Sequence, residues 1–278
     1  MEAKNGKPSM GILNFRAGEK KFLLSRYQPL QDLSFFVQRY WIVKWDLRGQ
    51  APYRQKILSH PCVNMVFEKG NTRIYGIEKE TSSRLLKGEG RVFGIKFKPG
   101  AFYPFLKSPL TQLTNRSLPF EAVFGMDSKP IEDAILSLED EVKMVNFAEH
   151  FLRERLPDRD ENVALVDRIV SFILTNREIT KVDDVVKEFR MNKRSMQRLF
   201  SQYVGVSPKW VIKRYRLHEA AEQMANGDIV DWTQLALDLG YYDQAHFIKD
   251  FKSHVGKSPE AYAKRIGDLS DDEEHTYT

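Results

Sequence analysis

The sequence reads as an α+β chain of two domains: an N-terminal small β-barrel with flanking helices, then an all-α domain of two helix-turn-helix units joined by a connecting helix. Three features carry that expectation. Short β-rich runs punctuated by turn residues fill the region from Lys21 to about Leu106. Helical periodicity replaces them beyond residue 128. The segment 181–265 then repeats itself at a shift of 51 positions, with Gly256-Lys257-Ser258-Pro259 falling on Gly205-Val206-Ser207-Pro208, Phe251 on Phe200, and Asp243 on Asn192. Ahead of that point a shift of 50 aligns Leu239 with Phe189, Leu235 with Val185 and Trp232 with Val182, so the second copy carries one extra residue in its turn.

Residues 1–14, rich in Lys, Gly and Asn, read as a loosely ordered leader, and 15–156 as the β domain with a C-terminal helix. Strands are expected at 22–27, 36–45, 55–58, 63–68, 72–77, 83–86 and 92–98 from their β-branched and aromatic content between turn residues. Ile95 and Phe97 alternate with Lys96 and Lys98, the pattern of a half-buried strand, and Lys98-Pro99-Gly100 stops it. Gly70-Asn71 marks a hairpin turn between Phe67 and Ile74. From 128 to 156 the residues Ile131, Ile135, Leu138, Val142, Val145, Leu152 and Leu156 suit one long amphipathic helix, broken in its stripe by Glu149. Such a stripe packs more often on its own barrel than on a second copy of the chain, and a homodimer remains the alternative.

Leu156-Pro157-Asp158-Arg159-Asp160 reads as a polar hinge, and 157–266 as the second domain. Val163, Val166, Ile169, Val170 and Ile173 give its first helix one apolar face. The first helix-turn-helix spans about 182–203, the connecting helix 208–225, and the second helix-turn-helix about 232–255. Asn192 and Asp243 are suited to cap the second helix of each unit, because a short side-chain oxygen can accept from an unpaired first-turn amide. Past the caps, Met196, Leu199, Phe200 and Tyr203 share one face while Lys193, Arg194, Gln197 and Arg198 share the other. Phe247, Ile248 and Phe251 turn inward in the second copy and leave Gln244, His246 and Lys249 outside. Ser207-Pro208 and Ser258-Pro259 each restart a helix, serine as cap and proline at the first position, where a missing N–H costs nothing. The tail 267–278 is acidic and nearly devoid of apolar residues, the composition of a disordered segment.

Between Phe189 and His218 stand Arg190, Lys193, Arg194, Arg198, Lys209, Lys213, Arg214 and Arg216, with no Asp or Glu. Helix geometry, polar donors and a single sign of charge together point to a polyanion, and a duplicated helix-turn-helix makes that polyanion double-stranded DNA. The run Leu239-Gly240-Tyr241-Tyr242-Asp243-Gln244-Ala245-His246-Phe247, with Phe251, Gly256, Ser258-Pro259 and Tyr262, resembles the C-terminal signature of the AraC/XylS family of bacterial transcription regulators. The resemblance extends from Asp160 to Arg265. It implies that Lys193, Arg194, Gln197 and Arg198 face bases in one major groove and Gln244, Ala245, His246 and Lys249 in the next. Lys209, Lys213, Arg214, Ser207 and Ser258 are then the phosphate contacts. Arg190 departs from the family's usual glycine, Val186 from alanine and Lys249 from arginine, while acidic Asp250 is placed to cap or pair locally.

Tyr27-x-Pro29, Phe36-Val37-x-x-Tyr40-Trp41, His60-Pro61 and Gly94-Ile95-Lys96-Phe97-x-Pro99-Gly100 resemble the N-terminal domain of one group of these regulators. That likeness implies a cupin-like sensory or dimerising barrel, with Trp41, Trp45, Tyr53, Phe67, Tyr75 and Phe93 as candidates to line an effector pocket. It also implies RNA polymerase as a further partner. The alternative is a ligand-binding or enzymatic barrel tethered to DNA.

The remaining features set limits. At 278 residues there is room for two ordinary cores, and a formal charge of +5 suits an anionic partner. One cysteine, Cys62, excludes a disulfide framework, suits a reducing, cytoplasmic setting, and cannot build the zinc-bound cysteine cluster that some AraC-type chains use for DNA repair. No stretch is long and apolar enough for a membrane span, so no membrane partner is expected. The six histidines do not cluster at ligand spacing, and His60 with Cys62 reads as a strand histidine beside a buried inert thiol rather than a nucleophilic pair. No catalytic, metal or cofactor site is expected.

Overall fold

A computed structural model describes residues 11, 13, 18–225 and 231–264; the expected acidic tail and nearly all of the leader lie outside them. The N-terminal strands are β1 (Leu23–Tyr27), β2 (Val37–Leu47), β3 (Tyr53–Ile57), β4 (Asn64–Glu68), β5 (Arg73–Tyr75), β6 (Ser82–Leu86), β7 (Gly88–Phe97) and β8 (Ser117–Pro119). The expected barrel does not close. Six antiparallel strands run in the order β1-β2-β7-β4-β5-β8, and β3 pairs with β6 in a separate ribbon. Closure needs a continuous ladder around the perimeter, and here the far edge tapers into two three-residue strands, β5 and β8.

Alternation divides the six-stranded sheet into two unlike faces. Tyr40, Ile42, Met65, Phe67, Phe93, Ile95 and Phe97 are buried on one face beneath helices. Arg39, Trp41, Val43, Trp45, Asn64, Val66 and Lys96 point to the other, where the β3–β6 ribbon stands opposite and encloses a cavity. A bulge between Val37 and Arg39 sets which residues of β2 go to which face. Gly94 pairs with Trp41 and Gly90 with Trp45. A Cβ at Gly94 would lie 2.0 Å from the Trp41 ring, so the bare backbone there gives the indole its seat.

The helices covering the core face are α1 (Tyr103–Leu106), α2 (Glu121–Phe124), α3 (Lys129–Ser137) and α4 (Glu141–Arg153). Two helices therefore stand where one was expected over 128–156. The chain turns extended at Leu138, and Asp140 Oδ1 accepts from the amides of Val142 (2.8 Å) and Lys143 (3.3 Å), a start signal stronger than the continuing apolar stripe. Both helices pack on their own sheet through Ile131, Ile135, Met144, Val145 and Leu152. Glu149, which interrupts the stripe, is buried but satisfied: it accepts from the Leu30 amide at 2.9 Å and pairs with Arg153 at 3.1 Å. Glu132 likewise accepts from Gly70 N (2.6 Å) and Thr72 Oγ1 (2.7 Å), pinning the β4–β5 hairpin whose turn Gly70 makes at φ +71°.

The C-terminal helices are α5 (Glu161–Thr175), α6 (Val182–Glu188), α7 (Lys193–Tyr203), α8 (Pro208–Ala225), α9 (Trp232–Asp238) and α10 (Gln244–Val255). The internal repeat is geometric as well as sequential. Helix α6 closes with Met191 N donating to Val186 O at 3.0 Å, and α9 with Tyr241 N donating to Ala236 O at 2.9 Å. The left-handed residue is Arg190 (φ +50°) in one turn and Gly240 (φ +77°) in the other. The extra residue of the second copy is Tyr242, 90% exposed between the turn and the cap.

One apolar core runs from the sheet (Tyr40, Phe97) through α5 (Val166, Ile169) into α7 and α8 (Phe200, Val211, Tyr215). A second joins Leu13 and Leu58 to Leu217, Phe247 and Phe251. Polar contacts cross the same boundary: Thr114 Oγ1 to Gly205 O at 2.6 Å, Gln202 Nε2 to the Tyr103 hydroxyl at 2.7 Å, and Lys98 with Asp167 at 3.0 Å. Tyr203 donates to Asp160 at 2.6 Å, which ties down the last residue of the segment expected as a hinge. At the centre of the boundary His60 stacks on His218 of α8, ring centroids 4.1 Å apart. Histidines far apart in sequence are thus paired in the fold.

Both imidazoles are enclosed, and both leave Nε2 without a hydrogen-bond partner. Burial, with Lys96 and Arg214 nearby, holds His60 well below its ordinary 6.5 and takes His218 down to about 3. In the unfolded chain these rings take up protons below about pH 6.5, and in the folded chain they do not, so stability must fall as pH falls through that value. Urea unfolding between about pH 7 and pH 5 is expected to show that loss, at most about 1.4 kcal/mol per pH unit for each ring. The double variant His60→Leu, His218→Leu should flatten the slope, and an unchanged slope would contradict neutral burial of the pair.

Candidate nucleic-acid interface and ligand cavity

Helices α7 and α10 present outward the side chains that the sequence assigns to bases. On α7, Asn192 Oδ1 accepts from Ser195 N at 2.8 Å, Met196, Leu199, Phe200 and Tyr203 are buried, and Lys193, Arg194, Gln197 and Arg198 are exposed. On α10, Asp243 Oδ1 accepts from His246 N at 2.7 Å, Phe247 and Phe251 are buried, and Ala245, His246 and Lys249 are exposed with Gln244 half-exposed. Lys193 pairs with Asp183 of α6 at 2.6 Å, which ties the first helix of that unit to the start of the second. Ser207 Oγ accepts from Trp210 N at 3.2 Å and Ser258 Oγ from Ala261 N at 3.3 Å, so both serines cap helices.

The connecting helix departs from the expectation. Lys209 is exposed, but Arg214 is 1% exposed, and its guanidinium donates to the Lys79 and Glu78 carbonyls of the sheet domain while lying 4.5 Å over Trp210. A phosphate cannot reach Arg214 in this arrangement. Burial brings its pKa down to about 10, still charged at neutral pH. Arg216 is also enclosed, donating to Ile173 O (2.7 Å) and Asn176 O (3.1 Å) and pairing with Glu219 at 2.7 Å. Lys213, half-buried, pairs with Asp250 of α10 at 2.6 Å, and Tyr241 donates to the same carboxylate at 2.9 Å. Asp250 is therefore the local ion-pair partner, and Lys213 a strut between α8 and α10 rather than a free cation. Val211, Ile212, Tyr215, Leu217 and Ala220 of α8 are buried on most sides of the helix, which leaves no solvent face for Arg214 and Arg216. Apolar residues on most sides of a helix are a signal that a count of charges passes over.

The cavity beneath the ribbon has a volume of about 470 Å³. Trp41, Trp45 and Tyr75 line it as expected. Phe67 and Phe93 do not: they lie on the opposite face of the sheet, in the core. Tyr53 does not line the cavity either: it packs with Phe22, Leu47 and Leu86 in a small cluster, of which Phe22 and Leu86 reach the cavity. Sequence reasoning passed over Arg26, Arg39 and Lys96, which line the cavity with His60. The period of two that places Trp41 inside places Arg39 there as well. Cys62 is buried, with Sγ 3.9 Å from Gln38 Oε1, and burial pushes its thiol up, away from the thiolate form. No group of three or more His, Cys, Asp or Glu able to hold a metal occurs among the described residues. No helix among them is long and apolar enough to cross a membrane.

Paired, capped helix-turn-helix units with polar outer faces define a DNA-binding domain. Residues 185–265 match the family model described as a helix-turn-helix domain, and residues 25–119 match a domain of unknown function (DUF6597). AarP, a transcriptional activator of Providencia stuartii, is 34% identical over 91 residues, covering 32% of this chain and 64% of AarP. An uncharacterised HTH-type transcriptional regulator of Haemophilus influenzae is 24% identical over 144 residues, covering 50% of this chain and 47% of that protein. XylDLEGF operon transcriptional activator 3 of Pseudomonas putida is 26% identical over 102 residues, 36% of this chain and 31% of its own length. The chain thus spans about a third to two thirds of the curated relatives named here. ToxT from Vibrio cholerae O395 superposes over 89% of this chain and 98% of its own at 14% identity and a TM-score of 0.38, a loose likeness. The C-terminal part of the chain is an AraC/XylS-type DNA-binding domain.

Exposure separates two expected mutational signatures. Arg194→Ala or Arg198→Ala is expected to cost about 1–3 kcal/mol on the preferred site and to relax choice at particular base pairs. Lys209→Ala should weaken all sequences alike and lower the salt slope by about one ion. Electrophoretic-mobility titrations on specific and random duplexes at several salt concentrations check both, and identical losses across the three variants would contradict the division.

Proposed function

We propose that the chain is a sequence-specific transcription regulator that sets α7 and α10 into successive major grooves of duplex DNA, with a small molecule in the sheet-domain cavity modulating that binding. The observation that carries the reading is the duplication: two capped helices, each with its apolar residues buried and its Lys, Arg, Gln and His side chains turned out. Polar donors on such a face serve no packing purpose. The relatives named above are transcriptional regulators, which supports the same reading and disfavours an enzyme tethered to DNA.

Two reading helices in one chain imply an asymmetric site. Their contacts must fall about one helical turn apart, roughly 34 Å, to lie on one side of the duplex. The bases assigned to Lys193, Arg194, Gln197 and Arg198 then form one element of the site, and those assigned to Gln244, Ala245, His246 and Lys249 the other. Selection from random duplex DNA with the full chain is expected to return two unlike elements at that spacing. Recovery of one short palindrome, or no enrichment, would contradict it. Effects of cavity ligands on operator affinity of about 5- to 150-fold are the range expected for a regulatory coupling.

A further inference from the structure

The cavity is divided chemically along its length. On the floor, Arg39 stands opposite Lys96, Asn64 flanks Lys96 from β4, and Arg26 lies one pair along, opposite Trp41. Further along the same strands Val43 meets Leu24 and Val92, and Trp45 meets Gly90, with Leu86 of the ribbon also lining this part. One end is cationic and the other apolar.

Lys96 is 8% exposed, and no carboxylate among the described residues pairs with it. The cavity's acidic groups are engaged elsewhere: Glu78 pairs with Arg84 at 3.6 Å and accepts from Ser59 at 3.3 Å, and Glu68 accepts from Asn71 at 3.0 Å. A buried ammonium without a counter-ion is costly, and a fold retains one where something else supplies the negative charge. Burial brings Lys96 down to about 8, so it remains largely charged at neutral pH.

We infer that the cavity takes an amphipathic organic anion, its anionic head on Lys96 and Arg39 and its apolar body between Trp41, Trp45 and Leu86. The inference rests on the reading of the cavity as the regulatory site and specifies the class of ligand. The head end is also the end that meets the DNA-reading domain. His60 lines the cavity there and stacks on His218 of α8, and the charges of Lys96 and Arg39 act on His60. An anion bound at Lys96 therefore changes the electrostatic field at the joint between the domains.

The test uses the full chain and a panel of aliphatic and aromatic carboxylates of about six to twelve carbons, sizes suited to such a cavity, each beside its neutral alcohol. Binding is read by tryptophan fluorescence, since Trp41 and Trp45 line the site. At least one acid is expected to bind about tenfold or more tighter than its alcohol, as a charge-assisted contact allows. Lys96→Met should abolish that preference, retain alcohol binding and leave the Tm of the unliganded protein no lower. Alcohols that bind as well as acids, or a preference that survives in Lys96→Met, would overturn the inference. So would an absence of binding by every panel member. Operator binding measured on the same samples separates the two failures: intact operator binding leaves the DNA-reading assignment standing while the anion site falls.

Discussion

The structure depends on one contact, the seating of α8 on the sheet domain. Arg214 enters the loop after β5 and is held by the Lys79 and Glu78 carbonyls, while His218, one turn further along the same helix, lies flat on His60. Thr81, from that same loop, donates to the His254 carbonyl near the end of α10. The loop therefore touches both the connecting helix and the second helix-turn-helix. Because the first helix-turn-helix shares a core with the sheet, each reading helix is positioned against the N-terminal domain as well as against α8.

This arrangement turns the sheet domain into a gauge for the spacing of the reading helices. Two helices that read adjacent grooves must keep a fixed separation, and α8 alone would leave its ends free to flex. Lys213 ties this helix to Asp250 of α10, and Arg216, within one turn of it, ties it to the Ile173 and Asn176 carbonyls at the end of α5. Arg214, Arg216 and Lys213 are thus spent on structure, whereas Arg190, Lys193, Arg194, Arg198, Lys209 and Lys249 remain exposed. His60 stands where a change in the cavity meets this framework. Interfaces of this kind shift between discrete packings, which gives a small ligand a route to the DNA-reading half.

The helix-turn-helix units were legible because every signal for them is local. Asn192 and Asp243 as caps, serine before proline, and one-turn apolar spacing fix them within a dozen residues, and even the inserted Tyr242 shows in the register shift. The sheet domain was less legible. Strand positions follow from composition, but Phe93 and Trp41 differ only in which face they occupy, and that depends on the bulge after Val37 and on cross-strand pairing. The break at Leu138 lost out to an apolar stripe that runs on through Leu138, Val142 and Val145, although Asp140 was there to be read as a cap. Long-range contacts were invisible. Nothing near His60 announces His218, and the eight basic residues between Phe189 and His218 looked alike until the packing around α8 turned Arg214 and Arg216 inward.

The separation of α7 and α10 tests the gauge directly. Spin labels at Gln197→Cys and Lys249→Cys, both on exposed positions, leave the native Cys62 buried and unlabelled. Pulsed electron-electron resonance should give one narrow distance distribution in the otherwise unaltered chain. Adding Arg214→Met, which removes the hydrogen bonds to the Lys79 and Glu78 carbonyls, should broaden it while circular dichroism still reports folded helices. An equally narrow distribution in both proteins would contradict the claim that the sheet domain sets the placement of the reading helices.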